Sequence, residues 1–149
     1  MSDIRFYHLT TTSLEAALPQ LLNKTLARGW RAVVRAATSD RVEALTDRLW
    51  TYDEASFLPH GSPKDGHPTQ QPIWLDTSDH NVNGAKVIFL TDGTEVSDVA
   101  AYGVVAELFD GSDTDAVTTA RHHWRAYKRA GHTPTYWKQD ENGRWIKGA

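Results

Sequence analysis

Apolar and polar residues alternate along Ile4-Arg5-Phe6-Tyr7-His8-Leu9, the period of a β-strand. Residues 10–13 then supply turn and cap chemistry, and Ser13 is the expected N-cap because its hydroxyl can accept from a free helix N–H. Leu14, Leu18, Leu21, Leu22 and Leu26 follow at helical spacing, Pro19 predicts a kink or a displaced start, and Arg28-Gly29 closes the helix. Residues 31–37 form a short, mostly apolar second strand. A second helix follows, capped by Ser39 or Asp40 and carrying Val42, Leu45, Leu49 and Trp50 on one side. Strand, helix, strand, helix at this spacing predicts a βαβ unit with parallel pairing.

The pattern breaks over residues 51–71, where Pro59, Gly61, Pro63, Gly66 and Pro68 mark a long loop around the apolar island Phe57-Leu58-Pro59-His60. Residues 72–75, 87–90 and 104–109 read as further strands, and residues 113–130 as a third long helix capped by Ser112 or Asp113. Two short strand-like runs flank Asp140-Glu141-Asn142-Gly143, which predicts a terminal hairpin or an exposed tail. The expected fold is α/β: a Rossmann-like three-layer sandwich with a mostly parallel sheet, in a single domain over residues 1–149. Residues 138–149 are expected to be a variable hairpin or tail.

Composition narrows the chemistry. The 149 residues suit one domain, and a domain of that size buries about 68–70% of its unfolded surface. With 40% hydrophobic and 23% charged residues the chain is globular rather than disordered. It has no cysteine, which excludes disulfides, a thiol nucleophile and thiolate-bound metal. No run approaches the roughly 20 apolar residues of a membrane helix, and no charged-then-apolar signal pattern opens the chain. A cytoplasmic protein without membrane contact is expected. The net charge of −3 argues against a phosphate-gripping nucleic-acid domain.

Catalytic signatures are missing. The first predicted strand leads into Leu9-Thr10-Thr11-Thr12-Ser13, which lacks the glycines that let backbone N–H groups approach a phosphate. No Walker-type lysine motif and no nucleophile-elbow pattern is present. Seven histidines are scattered without the i, i+4 pairing of a helical zinc site, and adjacent His122 and His123 diverge by about 100°. They read as surface and loop histidines. No cofactor and no metal is expected.

One segment carries positive chemistry. On a helical wheel Ala116, Val117, Ala120, Trp124 and Tyr127 share an apolar sector about 100° wide, and Arg121, Arg125 and Lys128 form a stripe along its edge. The expected result is a half-buried indole with cations beside it. That suits a peptide with an apolar side chain and several carboxylates. The same spacing also describes an ordinary amphipathic helix whose C-terminal cations complement its dipole.

Residues 121–131, together with Phe6-Tyr7, Trp30 and Leu49-Trp50 followed by Ser56-Phe57-Leu58-Pro59-His60, resemble the chi subunit of bacterial DNA polymerase III holoenzyme. The resemblance runs from Ile4 to Trp137. It implies a non-catalytic accessory subunit that binds the acidic, phenylalanine-ended C-terminal tail of single-stranded DNA-binding protein, and so meets DNA only indirectly. It implies tail contacts at Arg121, Trp124 and Arg125, with Lys128 added by the wheel. Trp124 stands where the family often has tyrosine. Trp50 and Phe57 match positions that face the psi subunit, or an alternative partner such as an accessory helicase; as large aromatics they also fit an ordinary core. Against this stand two other classes: a small nucleotide-dependent α/β enzyme, and a module that binds single-stranded DNA directly.

Overall fold

Seven strands, β1 (Asp3–Leu9), β2 (Ala32–Arg35), β3 (Ile73–Asp76), β4 (Val87–Leu90), β5 (Val104–Asp110), β6 (Thr135–Gln139) and β7 (Trp145–Lys147), join in one sheet ordered β3-β2-β4-β5-β1-β6-β7. All neighbours are parallel except β6 and β7. The computed structural model describes residues 2–51 and 58–148. Helices α1 (Leu14–Ala27) and α2 (Ser39–Thr51) pack on one face of the sheet, and α3 (Thr114–Arg129) packs on the other. This is the expected three-layer α/β sandwich.

Strand alternation divides the core. Tyr7 and Leu9 of β1 join Leu18, Leu22, Leu45 and Leu49 under α1 and α2. Ile4 and Phe6 join Val33, Ile88, Val105 and Ala120 under α3. The interior strands are buried on both faces, as parallel sheets with helices on either side require, and β4 reads Val-Ile-Phe-Leu without a polar break.

One helix start differs in detail from the sequence expectation. Ser13 does cap α1, accepting from the Ala16 N–H at 3.2 Å. Pro19 neither stops α1 nor displaces its start; it sits inside the helix. Having no N–H, it cannot bond the Glu15 carbonyl one turn back. That carbonyl instead accepts from Nε of Arg48 on α2 at 3.2 Å. At α2 the cap is Thr38 rather than Ser39 or Asp40: its hydroxyl accepts from the Arg41 N–H at 3.2 Å and its carbonyl from the Val42 N–H at 3.0 Å.

The C-terminal segment is a hairpin and part of the sheet. β6 lies beside β1 with Phe6 opposite Tyr136 and His8 opposite Lys138. The turn is held by Asp140, whose carboxylate accepts from the N–H groups of Asn142 and Arg144 at 2.8 and 2.9 Å. Among the described residues no helix is long and apolar enough to cross a membrane.

Candidate functional site

The described residues offer two concave regions of note. The larger, about 700 Å³, lies at the carboxyl ends of the strands, between the loops after β1, β4 and β5. A doubly wound sheet places its nucleotide in such a crevice. Here the chemistry opposes one. Glu15, Asp92, Asp110, Asp113 and Asp115 line it, and Arg41 is engaged with Glu15 at 3.3 Å and Asp92 at 3.2 Å. The backbone N–H groups of Thr10, Thr11 and Thr12, which occupy the place of a phosphate-binding loop, all point at Oε1 of Gln139, at 3.2, 3.3 and 3.4 Å. Nε2 of Gln139 donates to the Thr12 hydroxyl at 2.7 Å, which fixes the orientation of that amide.

The second region is a cleft of about 310 Å³ between α3 and the sheet, lined by Phe6, His8, Phe109, Val117, Ala120, Arg121, Trp124 and Tyr136. Its floor follows from register. Phe6 and His8 project to the α3 side of β1, Phe109 stands opposite His8 on β5, and Tyr136 stands opposite Phe6 on β6. Its wall follows from helical periodicity. Asp113 caps α3 by accepting from the N–H groups of Asp115 and Ala116, and the helix then turns Val117, Ala120 and Trp124 inward. Trp124 is half-buried and meets Phe6 edge-on, ring centres 5.2 Å apart.

Arg121, Trp124, Arg125 and Lys128 all lie on α3, as the wheel predicts. Arg121 and Trp124 line the cleft itself. Nζ of Lys128 sits 5.7 Å from the centre of the indole. Arg125 is exposed and does not line the cleft. Among the described residues none of Arg121, Arg125 and Lys128 forms an ion pair with a carboxylate. The cationic side of the cleft is therefore uncompensated, in contrast to Arg41.

Trp50 lies elsewhere. It lies in the last turn of α2, on the opposite face of the sheet, is 52% exposed, and packs with its ring centre 4.3 Å from that of His60. So exposed an indole is not an ordinary core aromatic. Phe57 falls outside the described residues.

The reading of the histidines as surface and loop residues is corrected at His123, which is buried on a helix, while His60 is a loop residue as expected but buried. His60 is buried, bonded through its ring nitrogens to the carbonyls of Leu58 and Thr46 at 2.6 and 3.1 Å. His123 is buried on the underside of α3, with Nδ1 at 2.9 Å from Glu107 and Nε2 at 2.9 Å from Glu95. A third, His8, is half-buried in the cleft, bonded through Nδ1 to the Tyr136 hydroxyl and 5.0 Å from the Phe109 ring. Burial lowers the pKa of His8, Lys138 lowers it further, and Asp110 opposes them. Burial raises that of Tyr136, partly offset by Arg121. The sheet-side lining of Phe6, His8, Phe109 and Tyr136 was not singled out from sequence as a site. The available signal was that Ile4, Phe6 and His8 share one face of the first strand.

The model of the family described as DNA polymerase III chi subunit, HolC, matches residues 1–135. The chain belongs to the DNA polymerase III chi subunit family. A Rickettsia prowazekii (strain Madrid E) protein named "Probable DNA polymerase III subunit chi" is 28% identical over 99 residues, which cover 66% of this chain and 60% of that protein. Trp50 and the cleft residues apart from Tyr136 lie within the span that matches the chi family. Only the β6–β7 hairpin lies almost wholly beyond it, so Tyr136 is contributed to the cleft from outside the chi match.

Proposed function

We propose that the chain is a non-catalytic replication accessory subunit that links the clamp-loader and polymerase III assembly to single-stranded DNA-binding protein by gripping that protein's acidic C-terminal tail. The observation that supports this reading is the cleft beside α3: an apolar trough with uncompensated cations on one side. The tail's terminal aromatic ring would enter the trough beside Trp124, Arg121 would meet its carboxylate, and Arg125 and Lys128 would attract the acidic residues before it. Charge-assisted pairs of this kind orient a carboxylate, and a desolvated aromatic anchor supplies most of the affinity.

A second contact would use the exposed face of Trp50, with Phe57, for the psi subunit or for an alternative partner such as a helicase. Its position on the opposite side of the sheet leaves the tail cleft open, so one chain would bridge two partners.

Calorimetry with a short acidic peptide ending in phenylalanine tests the reading. Arg121→Ala is expected to weaken binding by about tenfold or more, and Arg125→Ala by less, because Arg125 stands outside the cleft. Affinity is expected to fall as salt rises, since exposed charge pairs are screened. Equal binding by wild type and both variants would remove Arg121 and Arg125 from the site.

A further inference from the structure

The cleft has a polar end that the cations of α3 do not account for. Opposite Arg121, the sheet presents the Tyr136 hydroxyl bonded to Nδ1 of His8. The imidazole is wedged in place. Its ring lies against Phe109 on β5, and Nε2 packs so closely on Gly111 that a Cβ there would lie 1.9 Å from it. A side chain this confined cannot swing away, so any change in its charge is felt at the Tyr136 hydroxyl and in the cleft.

We propose that His8 and Tyr136 form a proton-linked contact for the terminal carboxylate of the bound peptide, opposite Arg121. This rests on the tail-binding reading of the cleft and adds a mode of recognition to it. In the empty cleft the Tyr136 O–H donates to neutral Nδ1 of His8. When a carboxylate enters, the hydroxyl turns to donate to it. Nδ1 then takes a proton from solvent and donates to the phenolic oxygen it formerly accepted from. One proton is gained, no bond other than hydrogen bonds changes, and the added positive charge faces the added negative charge. The residue class selected is a peptide with a free C-terminal carboxylate, since an amide brings no charge to balance the imidazolium.

The groups that face His8 set the direction. From β6 come Tyr136 and Lys138, from β5 come Phe109 and Asp110, from the turn before α3 comes Gly111, and from α3 comes Arg121 at the rim. Burial and Lys138 hold the free ring below its ordinary value, with Asp110 opposing. The bound carboxylate would raise it. Binding is therefore accompanied by proton uptake and strengthens as pH falls between the pKa of the bound ring and that of the free ring, by at most about tenfold per pH unit for one linked proton.

The test is calorimetry of the intact chain with the acidic phenylalanine-ended peptide, in buffers of different ionisation enthalpy near neutral pH. The wild type is expected to take up a fraction of a proton per peptide. His8→Gln and Tyr136→Phe are expected to bind with no uptake and a flat pH profile, while His122→Gln, on the exposed side of α3, keeps the wild-type uptake. NMR titration of the His8 ring in the wild type reads the same shift without a substitution: its pKa should rise on peptide binding. Peptide binding without proton uptake and with an unmoved His8 pKa would overturn this inference and leave the tail-binding reading standing. No binding at any pH would overturn both.

Discussion

Nδ1 of His123 lies 2.9 Å from both carboxylate oxygens of Glu107, and both side chains are buried between α3 and β5. The other ring nitrogen reaches Glu95, so the imidazole is held from two sides in the turn of α3 that carries Trp124. The Glu107 hydrogen bond, with the charges of both glutamates, raises the His123 pKa against the cost of its burial. Burial pushes that of Glu107 up as well. The imidazole thus bridges two carboxylates, and its pKa is raised on folding.

The pH dependence follows from the sign of that shift. A histidine whose pKa is raised on folding stabilises the fold fully below its unfolded value, about 6.5, and loses that contribution as pH rises through the folded value. The melting temperature should therefore fall as pH rises above about 6.5, and the fall should be smaller in His123→Gln. His123→Ala leaves Glu107 buried without its partner and should cost about 3 kcal/mol in denaturant unfolding near pH 6. A variant as stable as wild type would show that the pair carries no net stabilisation.

Gly111 is fixed by close approach rather than by its backbone angles. A Cβ at this position would lie 1.9 Å from Nε2 of His8 and 2.8 Å from the Leu9 carbonyl oxygen. The backbone contact cannot yield, because the Gly111 N–H donates to that same carbonyl at 2.8 Å. Gly111→Ala should destabilise the chain by about 2 kcal/mol, within the range for overpacking a filled site. Adding His8→Ala should recover part of the loss and not all of it, since the Leu9 carbonyl remains. Full recovery in the double variant would place the whole clash on the imidazole.

How much of this was visible beforehand depends on whether the cause was local. The strands at residues 87–90 and 104–109 and the helix carrying Arg121, Trp124 and Arg125 were legible because their apolar periods are long and uninterrupted. The rim position of Trp124 beside Lys128 also follows from angles around a single helix. What escaped depends on contacts distant in sequence. Nothing near Gln139 announces that it will fill the amide pocket of Thr10 to Thr12, more than 120 residues away. His123 adjoins His122 in sequence and looks no different from it, yet one is buried on Glu107 and the other is exposed. The opposite wall of the cleft needed the knowledge that β6 pairs with β1, a long-range register.

The Pro19 defect in α1 gives a coupling that can be measured. The Glu15 carbonyl, left without its helical N–H, accepts from Arg48. Arg48→Ala in the wild type should cost about 1 kcal/mol or less, as for loss of an exposed charged hydrogen bond. Pro19→Ala restores the helical donor, and Arg48→Ala should then cost much less. The double-mutant cycle should give an interaction energy of about 0.5 kcal/mol or more. Additive costs would mean that the guanidinium does not repair the helix.

Trp124 has two roles that one substitution can separate. It is packed on Phe6, which is a matter of stability, and it forms the rim of the cleft beneath Lys128, which is a matter of binding. Truncation to alanine confounds them, because removing a large aromatic opens a cavity as well as the site. Trp124→Leu keeps part of the apolar volume against Phe6 and should cost less stability than Trp124→Ala. It removes the flat ring face and the cation–π contact, itself worth about 0.5–1 kcal/mol at an exposed position. Affinity for the acidic phenylalanine-ended peptide should therefore fall about tenfold or more in Trp124→Leu, and should largely return in Trp124→Tyr, which restores a ring. If the leucine variant binds as wild type does while remaining folded, the indole serves packing alone, and the binding energy must come from the cations of α3 and the His8–Tyr136 wall.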